Sequence, residues 1–283
     1  MPRLADSRQP ASAAPGAGRR VSAPAATVAR VTDPNRGVLY PDRLPRFTRL
    51  PPGEAASDLV EWYWIPQWDL PDGVESRQAL LPYPAANLVV EPDGVALWGV
   101  TTRTGERVLR GSGWAVGALL RPAALSHLSA APADLADGRV VLDEPALHAA
   151  VVAAMPDLQA AAGVVGAWLV ARVGALTPEA RLANAMAELL MTDPAILRLD
   201  DAAERLRVSA RTLQRLAHRT VGLPPAAMIR RRRLQEAAQR VRDDPAASLA
   251  DIAADLGYAD HAHLANDFRS VLGLTASEYR GEH

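Results

Sequence analysis

The 283-residue chain contains no cysteine. That excludes disulfides, thiolate zinc sites and thiol nucleophiles. It contains no lysine either, so all 31 residues counted as Lys or Arg are arginine. A GC-rich coding bias is the simplest reason, and no function follows from Arg identity alone. Long apolar runs are missing too. The longest nearly uninterrupted one, Ala160 to Ala171, stops at Arg172 and is too short to span a bilayer. The first thirty residues lack a continuous apolar signal core. The expectation is a cytoplasmic chain that does not engage a membrane. Histidine is sparse, with only His127 and His148 near the middle of the chain, so neither a metal nor another cofactor is expected. No Gly-rich phosphate loop, nucleophile elbow or triad is present, and the chain is not expected to be an enzyme. What remains, 49% apolar and 22% charged, is ordinary globular composition, with length enough for two modest domains.

The formal net charge of -1 hides an uneven distribution. Residues 1–46 hold eight Arg against three Asp, and residues 47–177 hold eight Arg against fourteen acids. From Arg205 to Arg242 there are eleven Arg and one acid, Glu236. From Asp243 to Phe268 there are six Asp and no basic residue except two His. The first of these two windows is built for a polyanion.

The pattern divides the chain into four parts. Residues 1–46, rich in Ala, Pro, Arg, Ser and Gly, carry no periodic apolar pattern and are expected to be a disordered tail. Residues 47–145 show short strand-like runs, among them Val60 to Ile65, Ala79 to Tyr83, Asn87 to Glu91, Val95 to Val100, Arg107 to Leu109 and Trp114 to Leu120, separated by Pro- and Gly-containing turns. Tight turns at close spacing predict an antiparallel barrel or sandwich. Residues 146–195 turn helical, with Leu158, Ala162, Val165, Leu169 and Val173 on one stripe and a second helix opening at Thr177-Pro178. These stripes exceed what a bare linker needs and suggest self-association as a homodimer. Residues 196–283 are predicted all-α, which makes the whole chain α+β.

The last part contains a repeat. Leu199, Asp201, Ala203 and Leu206 recur fifty positions later as Leu249, Asp251, Ala253 and Leu256. After a one-residue insertion, Leu213, Val221, Gly222 and Leu223 recur as Leu264, Leu272, Gly273 and Leu274. Each copy has the pattern of helix, tight turn and helix. Asp201 and Glu204 form a capping-box-like start, while Ser209, Ser248 and Asp260 stand at cap positions. In the first copy Leu213, Leu216 and Ala217 face inward and Arg211, Gln214, Arg215 and His218 outward; in the second, Leu264 and Phe268 face inward and Ala262, Asn266 and Arg269 outward. Such a unit sets its second helix into the DNA major groove, where Arg can pair with guanine and Gln or Asn with adenine. Exposed Arg and Gln also occur on any solvated helix. The repeat and the basic window together favour DNA. The intervening helix from Pro224 to Arg242 is roughly 28 Å long, close to the ~34 Å of one DNA turn, so both units can enter successive major grooves. Its run Arg230 to Arg233 points to all sides, with one or two side chains able to meet phosphate and the rest solvated or covering apolar surface.

The stretches SARTLQRLAHRTVG, MIRRRRLQEAAQRV and IAADLGYADHAHLANDFRSVLGLTASEYR, within residues 196–280, together resemble the DNA-binding domain of AraC/XylS-type transcription regulators. The resemblance implies binding to double-stranded promoter DNA through both units, and action on RNA polymerase. It places the recognition helices at Ala210 to Thr220 and His261 to Leu272, with Ser209, Arg211, Gln214, Arg215, His218, Arg219, His261, His263, Asn266 and Arg269 as candidate contacts. Ala217 stands where the family usually has an aromatic, Asn266 where an Arg is frequent, and Ala276 where Pro is usual. The segments VEWYWIP, LLPYPAANLVV and AVGALLRPAAL are similar to the N-terminal domain of some of these regulators, which implies a cupin-like sensory or dimerisation domain. Trp62, Trp64, Tyr83, Trp98 and Trp114 are the candidate lining of a site for a small-molecule effector; the favoured reading is that they form the core of the β domain, because large aromatics dominate the cores of small β domains.

Overall fold

The computed structural model describes residues 46–80, 83–244 and 246–281; the expected tail, residues 1–46, lies almost wholly outside them. Nine strands come first: β1 Arg46–Leu50, β2 Val60–Asp69, β3 Glu75–Leu80, β4 Asn87–Glu91, β5 Gly94–Trp98, β6 Gly105–Arg110, β7 Ser112–Trp114, β8 Val116–Leu120 and β9 Arg139–Leu142. A short helix, α1 Pro122–Leu128, is inserted before β9. Nine more helices follow: α2 Pro145–Ala154, α3 Leu158–Val173, α4 Pro178–Thr192, α5 Leu199–Leu206, α6 Ala210–Thr220, α7 Pro225–Asp243, α8 Leu249–Asp255, α9 His261–Asp267 and α10 Ala276–Gly281.

All described strand pairs are antiparallel. The main sheet runs β1-β2-β8-β4-β5-β9, with β7 also on β2, while β3 and β6 form a separate ribbon. Among the described residues the order is an open path with β1 and β9 at its edges. Period-two alternation explains which face is covered. Leu88, Val90, Val95, Leu97, Val116, Ala118 and Leu120 share a core with Leu147 and Val151 of α2 and Ala161, Ala162, Val165 and Leu169 of α3. At Gly166 a Cβ would lie 2.5 Å from the Tyr63 hydroxyl, so only glycine lets α3 come this close to β2. The apolar stripe of α3, expected to serve self-association, is therefore spent on the sheet of its own chain.

The helix α4 is capped as expected, Thr177 accepting from the Ala180 amide at 3.1 Å. Its buried face, Ala183, Met186 and Leu190, joins one cluster with Ala202, Ala203, Leu213, Leu216, Ala217, Met228 and Ile229. The core of the first repeat copy thus depends on α4, and a fragment beginning at residue 196 would leave it open. The second copy has its own core, in which Leu234, Ala238 and Val241 of α7 meet Ile252, Leu256, Tyr258, Leu264, Phe268 and Tyr279.

Candidate nucleic-acid interface

Capping fixes where each small helix begins. Asp201 takes the Arg198 and Leu197 amides at 2.8 and 3.1 Å. It is thus the third residue of α5 reaching back to the start, rather than the cap itself. Ser209 accepts from the Thr212 amide at 3.1 Å and opens α6. Asp260 accepts from the His263 amide at 2.7 Å and opens α9. Thr275 and Glu278 exchange bonds reciprocally at 2.6 and 3.1 Å and open α10, and that bonding holds the Glu278 carboxyl below its ordinary range.

The repeat is visible in the backbone. The turn between α5 and α6 passes through a left-handed residue at Arg207, φ 56°, and the matching turn of the second copy through Gly257, φ 71°. Glycine adopts this conformation without steric cost, whereas an L side chain costs about 1–2 kcal/mol there. The first unit thus holds an arginine where the second has the unstrained residue.

The arginine-rich window is mostly spoken for. Arg205 pairs with Asp193, Arg219 with Glu179 at 2.7 Å, Arg230 with Asp267 at 2.5 Å and Arg240 with Asp255 at 2.9 Å. Arg242 lies 3.8 Å from Asp243, and Arg233 stacks over the Tyr258 ring at 3.9 Å. The middle of the run Arg230 to Arg233 departs from the expectation of solvated or surface-covering side chains. Arg231 and Arg232 are 6% and 1% exposed. Arg231 donates to the Thr101 carbonyl of the β-rich region, and burial pulls its guanidinium down to about 10. Arg232 donates to the carbonyls of Leu190 and Ile196 at 3.1 and 2.7 Å. Of the eleven arginines only Arg207, Arg211 and Arg215 are exposed and bound to no described residue. All three lie in the turn and recognition helix of the first unit.

Arg211, Gln214, Arg215 and His218 follow one another at helical spacing and are all exposed on α6. Ser209 and Arg219 flank this face, one engaged as a cap and the other in its ion pair. In the second unit His261, His263, Asn266 and Arg269 are exposed; the His263 ring stands edge-on to Tyr258 at 5.3 Å between centroids. Here α9 passes directly into a π-helical turn, Phe268–Leu272. The acidic surround of this unit is largely compensated: Asp267 is 1% exposed and pairs with Arg230, Asp255 pairs with Arg240, and Asp260 is a cap.

The five aromatic candidates do not converge on one cavity. Trp62 and Trp64 lie on the sheet face opposite the main core. Tyr83 meets Trp62 edge-on at 5.3 Å, and Trp64 Nε1 donates to Asn87 at 2.9 Å. Trp98 lies under Arg139 at 5.0 Å, and Trp114 packs on the main core. The cleft found beside α1 and α4, about 60 Å³, is lined by Tyr83 alone of the five, together with Arg121, Asn184 and Thr220. Sites for drug-sized ligands have roughly 300–1,000 Å³. No helix among the described residues is long and apolar enough to cross a membrane, and no group of three or more His, Asp or Glu among them is placed to hold a metal ion.

Residues 202–282 match a family described as a helix-turn-helix domain, and residues 48–141 match a domain of unknown function. No curated protein matches the chain. Similar solved structures include the C-terminal domain of AraT, a response regulator from Geobacillus stearothermophilus, at 21% identity over 38% of this chain and 87% of that one, with a TM-score of 0.33. ToxT from Vibrio cholerae O395 is 12% identical over 83% of this chain and 95% of its own, with a TM-score of 0.40. Wild-type ToxT from strain SCE256 with bound unsaturated fatty acid is 12% identical over 83% and 93%, with a TM-score of 0.36.

Proposed function

We propose that this chain, which carries an AraC-type helix-turn-helix domain at its C-terminus, is a cytoplasmic, sequence-specific regulator of transcription that sets its two units into successive major grooves of promoter DNA and acts on RNA polymerase. The observation that carries this reading is the exposed α6 face of Arg211, Gln214, Arg215 and His218, with Arg207 beside it, in a window whose other arginines are all engaged. Unpaired cations next to groups that read base edges are what a DNA-facing helix requires. With two or three of these arginines on phosphate, the full chain should bind promoter DNA with a log-log salt slope of about -2 to -3. Fluorescence anisotropy across a salt series measures this. A folded chain showing no salt-sensitive binding at low ionic strength would remove the reading.

The β-rich region is the proposed site of control by a small molecule. Trp62, Tyr83, Trp64 and Trp98, outside the main core, support this, since aromatic rings offer a flat apolar ligand a large stacking area. A ligand seated there should change tryptophan emission of the full chain. If compounds that alter DNA binding leave that emission unmoved, the control lies elsewhere.

A further inference from the structure

The short loop between β5 and β6 reaches the first unit, the linker helix and the second unit in turn. Val100 is fully buried and shares the core of the first unit with Leu213, Leu216 and Ala217 of α6. The Thr101 carbonyl accepts from Arg231 of α7. The Thr104 amide and hydroxyl both donate to the Val271 carbonyl, at 3.3 and 2.8 Å. Val271 stands in the π-helical turn that ends the second recognition helix, where carbonyls lack partners within the helix and take them from outside.

The loop is itself held in place. The Thr102 amide donates to Asp137 at 2.6 Å, and the Thr102 hydroxyl donates to the other oxygen of the same carboxylate. The Asp137 amide returns a bond to the Val100 carbonyl at 2.9 Å. At Gly99 a Cβ would lie 1.9 Å from the Leu135 carbonyl oxygen, so only glycine lets the loop start this close to the segment before β9. These contacts fix the loop to the β-rich region at the point where it meets both units.

The helix α7 does not by itself fix the units against each other. The core of the second unit takes residues from α7 and, among the described residues, none from α5 or α6. Successive base pairs lie ~3.4 Å apart, and over the roughly 28 Å of α7 a shift of that size needs a tilt of only about 7°. A helix of this length curved at a radius of ~60–100 Å, as long helices ordinarily are, turns through roughly 16–27°. A change well inside that range would move the second recognition helix by one base pair. Holding it requires a support outside α7, and the loop is one.

We infer that the loop of residues 100–104 sets the spacing at which the two units read DNA, with Thr104 as the positioning residue for the second unit. This rests on the reading that both units enter successive major grooves. It makes the distance between the two half-sites a property of the β-rich region as well as of the helix-turn-helix domain.

The test uses the full chain and the duplex that it selects from a randomised pool, re-synthesised with one base pair added or removed between the two half-sites. The wild-type chain should bind either altered duplex about tenfold more weakly or worse, since the second unit then faces the wrong base pairs. Thr104→Val keeps the side-chain volume and loses the hydroxyl, and the spacing preference should fall to about threefold or less, whereas Thr104→Ser should keep it. All three chains should bind a duplex with the second half-site scrambled within about twofold of one another, because the first unit makes its own base contacts. Hydrogen exchange of the chain without DNA gives a second readout: Thr104→Val should speed exchange at residues 264–273 by about threefold or more and leave α6 unchanged. An unaltered spacing preference in Thr104→Val would overturn the inference, and so would unaltered exchange. Tighter binding of Thr104→Val to the selected duplex would overturn it too, since the contact would then hold the units away from their DNA-reading arrangement. A wild-type chain that selects no duplex removes the reading of function, and the exchange measurement still decides whether the loop holds the second unit.

Discussion

Replacing Arg232 with alanine is expected to destabilise the protein by about 3–5 kcal/mol, the range for removing one side of a buried charged interaction. Arg232 is 1% exposed. It donates to Leu190, in the last turn of α4, and to Ile196, in the segment leading into α5, while pairing with Glu236 at 3.2 Å. Carbonyls at a helix C-terminus lack partners within the helix, and burying them unpaired costs about 1–3 kcal/mol each. The side chain therefore acts as a staple between α7 and the start of the first unit. Arg232→Met, which fills the volume but donates nothing, should recover only the packing share of the loss. For a chain of this size each kcal/mol corresponds to roughly 2–4 °C in Tm, so thermal unfolding reads the difference directly. A loss below about 1 kcal/mol in Arg232→Ala would mean that water satisfies both carbonyls.

That staple marks a limit of what could be read from the sequence. The apolar stripe Leu234, Ala238 and Val241 identified α7, and all three are buried. A stripe at one period shows one buried face. The helix is buried on more than one, because α4 and the Thr101 carbonyl meet it where Arg231 and Arg232 stand. Four consecutive arginines carry no signal for which of them find carbonyl partners, since those partners lie about 40 to 130 residues away. Caps are legible for the opposite reason: Ser209, Ser248 and Asp260 bond within three residues of themselves. Of the strands, Asn87–Glu91 is legible to the residue because a Pro-Asp-Gly turn follows it. The edge strands β1 and β9 carry no such signal, because each has one paired side and weak alternation. The helix α1, seven residues long, is too short to show a helical period within a stretch whose pattern is that of strands and turns.

Within the interface, the first recognition helix should carry most of the sequence discrimination. Arg215 sits in the exposed face with Arg211 and Gln214, bound to no described residue, and so meets DNA without first breaking an ion pair. If it makes a two-bond contact with guanine, Arg215→Ala should cost on the order of 1–3 kcal/mol at the native site and relax preference at one base pair. Contact with phosphate alone would weaken all sequences alike and make the salt slope shallower by about one unit. Asn266→Ala should do less. The acidic surround that the sequence suggests for the second unit is largely neutralised by Arg230 and Arg240, so repulsion is not the main reason. The same pairings use up the cations that would hold that unit on the backbone, and Arg269 is the one exposed arginine left beside Asn266. Selection of both variants against a randomised operator pool compares them under one condition. A larger loss for Asn266→Ala than for Arg215→Ala would assign discrimination to the second unit and leave the first as the backbone anchor.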